Sequence, residues 1–188
     1  MPVIDTNNVR PGMTIMHDGR IMQVMDYQHV KPGKGGAFVR VKLRDVLTGR
    51  VLDHTWKGFQ KVEQAVLQTH DAEFIYREGD LLHFMDPETY EQQPVDISKV
   101  GDKAEFLKEN LQCKLLVHEG EVLSVELPDV VTVKVVETDP GVRGDTATGG
   151  SKPAKVETGA VVKVPLFVDQ GEMIRVDTRT GEYLERAK

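Results

Sequence analysis

The stretch His29-Val30-Lys31-Pro32-Gly33-Lys34-Gly35-Gly36-Ala37-Phe38 decides how this chain reads. Before it runs Ile21-Met22-Gln23-Val24-Met25-Asp26-Tyr27, apolar and β-favouring. After it, Phe38-Val39-Arg40-Val41-Lys42-Leu43 alternates with the period of two of a half-buried strand. The two runs predict a β-hairpin whose connection is longer than the minimum. Nothing between Lys31 and Gly36 would pack that connection onto a core. Gly33, Gly35 and Gly36 leave Lys34 as the side chain at its end, and their missing Cβ atoms let another surface approach the backbone closely. Three readings compete: a solvated tip, a phosphate-cradling loop, and a device that carries Lys34 to a remote site. The second lacks G-x-x-x-x-G-K-[ST], and a strand pattern follows where such a site uses a helix N-terminus.

Composition narrows the class. The 188 residues are 39% hydrophobic and 29% charged, as in ordinary globular domains, while 17 glycines and few aromatics favour short strands and turns. Cys113 is the single cysteine, so no intramolecular disulfide forms; it reads as a buried strand thiol rather than a nucleophile. No signal peptide or membrane span is expected, which predicts a cytoplasmic protein. The net charge of −6 is uneven: +4 over residues 1–64, −9 over 65–127 with Pro128, and −1 over the remainder. A basic first third and an acidic middle suggest contact with a polyanion at one end.

Along the chain, residues 1–64 predict a small β-barrel of the SH3-like or KOW type. Met13–Met16, the hairpin and Val51–Trp56 supply its strands, with Trp56 in the core. Residues 65–127 predict a Greek-key barrel of the oligonucleotide-binding (OB) type. Its one expected helix runs from Gly101 to Gln112, where Ala104, Leu107 and Leu111 share a face. Residues 128–188 predict a second such barrel, with strands over Val130–Val136 and Val161–Val168. A second conspicuous loop, from Gly144 to Pro153, is rich in small polar residues and glycine, with Arg143 before it. The expected class is all-β: three small barrels in series. The scattered histidines have no metal spacing, and no G-x-S-x-G elbow or calcium loop appears. No catalytic residue, metal or cofactor is expected.

Long motifs in order along the whole chain, both ends included, carry a resemblance. They are Lys31-Pro32-Gly33-Lys34-Gly35 with Ala37-Phe38-Val39-Arg40, Phe84-Met85-Asp86 with Glu88-Thr89-Tyr90, and Asp139-Pro140-Gly141-Val142-Arg143-Gly144-Asp145-Thr146. Thr158–Val168 and Val176–Tyr183 complete the set. The chain resembles the bacterial elongation factor P family. That resemblance implies a three-barrel, L-shaped monomer of roughly tRNA outline that binds ribosomes stalled at consecutive prolines, between the peptidyl and exit sites. It implies that Lys34 reaches towards the peptidyl-transferase centre beside the peptidyl-tRNA, with Lys31, Pro32, Gly33, Gly35 and Gly36 forming the finger around it. Gly144, Asp145, Thr146, Gly149 and Gly150 would face messenger RNA in the exit site. Arg40, Lys42 and Arg143 are candidate contacts to RNA. A lysine-modifying enzyme acting on Lys34 is a further implied partner. A paralogous elongation-factor-P-like family departs at the finger and the second loop. A free-standing single-strand binder of OB barrels would need exposed aromatics between basic residues, whereas Phe and Tyr here sit mostly in strand patterns.

Overall fold

The computed structural model describes residues 2–31, 33, 36–140 and 150–187. Alternation of apolar and polar residues becomes extended chain almost wherever the sequence shows it. The chain divides into two compact units, residues 1–69 with 116–123 and residues 70–115 with 124–188.

In the first unit, β1 (Val3–Asp5) leads through a 3₁₀ turn at Thr6–Asn8 to β2 (Thr14–His17), β3 (Arg20–Val30), β4 (Phe38–Asp45), β5 (Val51–Lys57) and β6 (Lys61–Glu63). Strands β2-β3-β4-β5 form an antiparallel meander, and β1 pairs with β6. The bridge Ile15↔Gln64 and the Ala65 N–H donating to Thr14 O at 3.0 Å bring the chain after β6 back to β2. Val9, Ile15, Met22, Val24, Val39, Val41, Leu43 and Trp56 make the core, as alternation and the reading of Trp56 predict.

The long strand β3 changes parity partway. Val24 lies opposite Leu43, but the next pair is Asp26↔Lys42, so Met25 is an extra residue in a β-bulge. Met22 and Val24 therefore face the core before the bulge, and Tyr27 and His29 lie opposite buried Val41 and Val39 after it. Asp26 and Gln28 are sent outward, opposite Lys42 and Arg40.

The remaining sheets are five-stranded. One runs β11-β10-β7-β8-β9, from β7 (Gln68–Glu78), β8 (Leu81–Met85), β9 (Gln92–Asp96), β10 (Leu111–His118) and β11 (Glu121–Glu126). The other runs β14-β13-β12-β15-β16, from β12 (Val130–Thr138), β13 (Ser151–Val156), β14 (Val161–Pro165), β15 (Met173–Asp177) and β16 (Tyr183–Arg186). Bulges at Ile75 in β7 and Val136 in β12 bend the long opening strand of each sheet.

Three expectations are corrected. The helix over Gly101–Gln112 is a 3₁₀ helix of six residues, Gly101–Phe106. Leu107 is already extended, Asn110 is left-handed at φ 64°, and Leu111 opens β10, so Leu111 shares no helical face with Ala104. Second, the loop expected to last to Pro153 ends earlier, because β13 begins at Ser151. Pro153 is tolerated there because β12 pairing stops at Thr138↔Ala154, so no ladder bond to β12 is required of it. Third, the strand from Val161 ends at Pro165 rather than Val168: the Val168 N–H turns back onto Pro165 O at 3.1 Å.

One turn recurs in each of the three larger sheets. At Asp45-Val46-Leu47-Thr48-Gly49, Asp86-Pro87-Glu88-Thr89-Tyr90 and Asp177-Thr178-Arg179-Thr180-Gly181, a carboxylate oxygen accepts from the backbone N–H two and three residues on. The N–H of the fifth residue donates to the aspartate carbonyl at 2.8–2.9 Å each time, and that fifth residue has positive φ. All three carboxylates are held below the usual range, Asp45 and Asp86 first by the backbone N–H groups of Thr48 and Thr89, and Asp177 first by the Arg179 side chain.

Candidate functional site

The last register pair of the hairpin is Val30↔Phe38, so residues 31–37 connect the strands. The support below them is broad, because Phe38 also pairs with Lys57 on β5, and Gly58 N–H donates to Ala37 O at 3.0 Å. The connection thus leaves directly from a rim formed by three strands of the four-stranded sheet, β3, β4 and β5. Lys31, Gly33 and Gly36 are exposed. Pro32, Lys34 and Gly35 lie outside the described residues.

The backbone at Gly33 and Gly36 has no need of glycine on this chain's own account. Neither lies at the positive φ that other residues avoid, and among the described residues a Cβ added at either would meet nothing within 4 Å. Gly49 and Gly58, by contrast, sit at φ 71° and 70°.

Arg40 and Lys42 project from the outer face of β4, both exposed. Their surroundings differ. The Arg40 guanidinium lies 5.8 Å from the Phe38 ring centroid, with Gln28 and Thr55 opposite it in register. Lys42 is flanked in register by Asp26 and Asp53, two carboxylates that offset its charge locally. Other cations of the basic third are engaged within the fold: Arg10 donates to Asn7 O at 2.6 Å, Arg44 to Gln23 Oε1 at 2.6 Å, and Arg20 lies 3.7 Å from Asp45. The cationic field of the first unit is therefore narrower than its composition implies.

Of the second loop, Arg143, Gly144, Asp145, Thr146 and Gly149 lie outside the described residues. Its flanks are built closely. Lys152 is 6% exposed, and its ammonium donates to Asp139 O at 2.6 Å. Thr138 Oγ1 donates to Pro153 O at 2.9 Å. Gly150 is closely packed: a Cβ there would stand 2.9 Å from Leu166 Cδ1, so the Leu166 side chain would have to shift.

The reading of the aromatics missed four exposed rings among the described residues, Phe59, Tyr76, Tyr90 and Phe167. Phe59 is the one at the hairpin, with its ring centroid 6.5 Å from that of His29. The sequence signal was present in Lys57-Gly58-Phe59-Gln60-Lys61, an aromatic between two lysines.

Groups with chemical potential elsewhere are occupied structurally. Cys113 is buried in β10 as expected, and burial pushes its thiol up to about 12, which suppresses the thiolate. His54 is packed between His17 and Trp56, at ring centroids 4.3 and 5.5 Å, and burial followed by the neighbouring His17 lowers its pKa. Among the described residues no three His, Cys, Asp or Glu side chains cluster as a metal site, and no helix is long and apolar enough to cross a membrane.

Comparison with known proteins matches three regions of the chain. Family profiles described as the elongation factor P KOW-like domain, OB domain and C-terminal region match residues 5–62, 67–125 and 131–186. A translation initiation factor eif-5a family protein from Naegleria fowleri shares the fold over 67% of this chain and 98% of its own, at a TM-score of 0.55 and 11% identity. The class is thus an all-β protein of KOW-like and OB barrels. Elongation factor P of Thermoanaerobacter sp. (strain X514) is 53% identical over 98% of this chain and 100% of its own length. Elongation factor P of Acetivibrio thermocellus is 50% identical over the same shares. The chain belongs to the elongation factor P family, a family of translation elongation factors.

Proposed function

We propose that this chain binds the ribosome between the peptidyl and exit sites and stimulates peptide-bond formation at consecutive prolines. In this reading residues 1–64, 65–127 and 128–188 are its three domains. Lys34 reaches towards the peptidyl-transferase centre and orders the end of the peptidyl-tRNA, while Arg143 to Gly150 faces the exit-site codon. Arg40, and less strongly Lys42, contact RNA phosphate. The ribosome supplies the chemistry. A peptidyl-prolyl end reacts poorly because its φ is fixed and its nitrogen constrained, and the factor lowers the positional and entropic part of the barrier.

The observation that carries the reading is the pair Gly33 and Gly36. The fold does not ask for glycine at either place, so their lack of side chains makes sense for an approach by something outside the chain. A lysine-modifying enzyme acting on Lys34 needs the same access. The test is Lys34→Ala, measured by thermal melting and by translation of a Pro-Pro-Pro reporter. The expected result is unchanged melting with loss of relief from stalling. Normal reporter yield would remove Lys34 from the mechanism, and a large fall in melting temperature would make it structural. Intact mass and fragmentation across residues 31–36 of protein from its native host decide whether Lys34 carries an extension.

A further inference from the structure

We infer that Phe59, at the foot of the hairpin, is a stacking platform for an unpaired RNA base. The inference rests on the ribosome-binding reading above and adds a site that the family motifs in this chain do not include.

Phe59 is 68% exposed, yet the backbone around it is fixed on both sides. Gly58 N–H donates to Ala37 O at 3.0 Å, which ties the segment to the root of the connection 31–37. Gln60 N–H donates to Thr6 Oγ1 at 3.2 Å, and Thr6 N–H donates back to Gln60 O at 2.8 Å, with Thr6 fully buried. The ring is therefore held out in solvent by an anchored segment rather than by a slack one. His29 meets it at 60° between ring planes, a tilted contact that buttresses one side.

The surroundings favour RNA over a protein partner. Phe59's chain neighbours, Gly58 and Gln60, add no apolar side chain beside the ring. Lys57 and Lys61, two residues to either side, are exposed, and Lys31 stands exposed just beyond His29. Asp5, opposite Lys61, is the one carboxylate in register with these lysines. An aromatic face among cations is the arrangement that binds single-stranded nucleic acid, with the ring taking the base and the lysines the phosphates.

The experiment measures binding of Phe59→Ala, Phe59→Leu and Phe59→Tyr to ribosomes holding peptidyl-tRNA, across a salt series. Phe59→Ala is expected to weaken binding about tenfold, because stacking on one aromatic is of that order. The slope of log affinity against log salt should stay unchanged, since no charge is removed. Phe59→Tyr should restore binding and Phe59→Leu should not, because leucine keeps apolar bulk without a π face. Equal binding by the Leu variant, or no loss in the Ala variant, overturns the inference while leaving ribosome binding intact. Should Phe59→Ala fail to fold, the Tyr and Leu pair still decides. With Phe59→benzoylphenylalanine, photocrosslinks to RNA support the site; crosslinks to ribosomal protein or a modifying enzyme alone overturn it. A wild-type chain that does not bind ribosomes at all overturns the functional reading, and this inference with it.

Discussion

Gly33→Ala and Gly36→Ala should move stability and activity in opposite directions. Glycine loses more conformational freedom on folding than alanine does, so replacing it where the native backbone suits alanine stabilises by about 0.4–1 kcal/mol. Both positions meet that condition, since neither has positive φ and open space surrounds each added methyl. For a chain of this size, each substitution should raise the melting temperature by about 1–4 °C. Gly49→Ala is the internal contrast: its space is equally open but its φ is 71°, so it should destabilise by more than about 1 kcal/mol. If the connection 31–37 works against a close outer surface, each methyl at 33 or 36 overpacks that surface at about 1–3 kcal/mol. That is roughly a five- to hundredfold rise in the concentration of factor needed for half-maximal synthesis through three prolines. The assays are calorimetry and a factor titration of tri-proline peptide formation. A fall in melting temperature would show that the fold itself requires these glycines. A rise with unchanged half-saturation would mean that nothing approaches them, and the solvated-tip reading would stand.

Two further outcomes follow from the C-terminal sheet. Gly150→Ala should cost about 1 kcal/mol, the low end for overpacking, because its Cβ would displace Leu166 Cδ1 from 2.9 Å; the cost should disappear in a Leu166→Ala background, and equal costs in both would refute the contact. Asp177 is held at about 2, first by the Arg179 side chain and then by its backbone N–H. A depressed carboxylate stabilises above its unfolded pKa and loses that contribution as pH falls through the folded value. Asp177→Asn should therefore melt lower than wild type at neutral pH, with the gap closing between about pH 4 and pH 2; a gap independent of pH would refute this.

Alternation was enough to read the β class, the Phe38–Leu43 strand and the burial of Trp56, because each depends on neighbours one and two residues away. What escaped depended on register. The bulge at Met25 inverts which residues of β3 face inward, and with it places Asp26 opposite Lys42. No count of lysines and carboxylates over residues 1–64 could show that pairing. The 3₁₀ segment was over-read as a long helix because Ala104, Leu107 and Leu111 fit a helical face, although Asn110 supplied the left-handed break. The recurring D-x-x-T turn was legible as three matching pentapeptides, but its common geometry appears only once the hydrogen bonds are drawn. Phe59 was passed over because strands explained most other aromatics; its lysine neighbours were the signal.

The hairpin combines two opposite demands. Lys34 lies four residues beyond Val30, the last paired residue of β3, and four fully extended residues span at most about 13–14 Å. The lysine stem adds reach beyond that, and an acylated amine would add more. A connection rich in glycine is costly to order, and its described residues Lys31, Gly33 and Gly36 are exposed. The role proposed for Lys34 asks for precision. The rim supplies the near half of it, because β4 pairs on both sides up to Phe38 and Gly58 fixes Ala37. On the proposed function, the far half would come from the cavity that receives the tip. Binding to such a cavity must then offset the ordering of the connection. A base held on Phe59 beside the hairpin root would help to do so, by fixing the root before the tip is ordered.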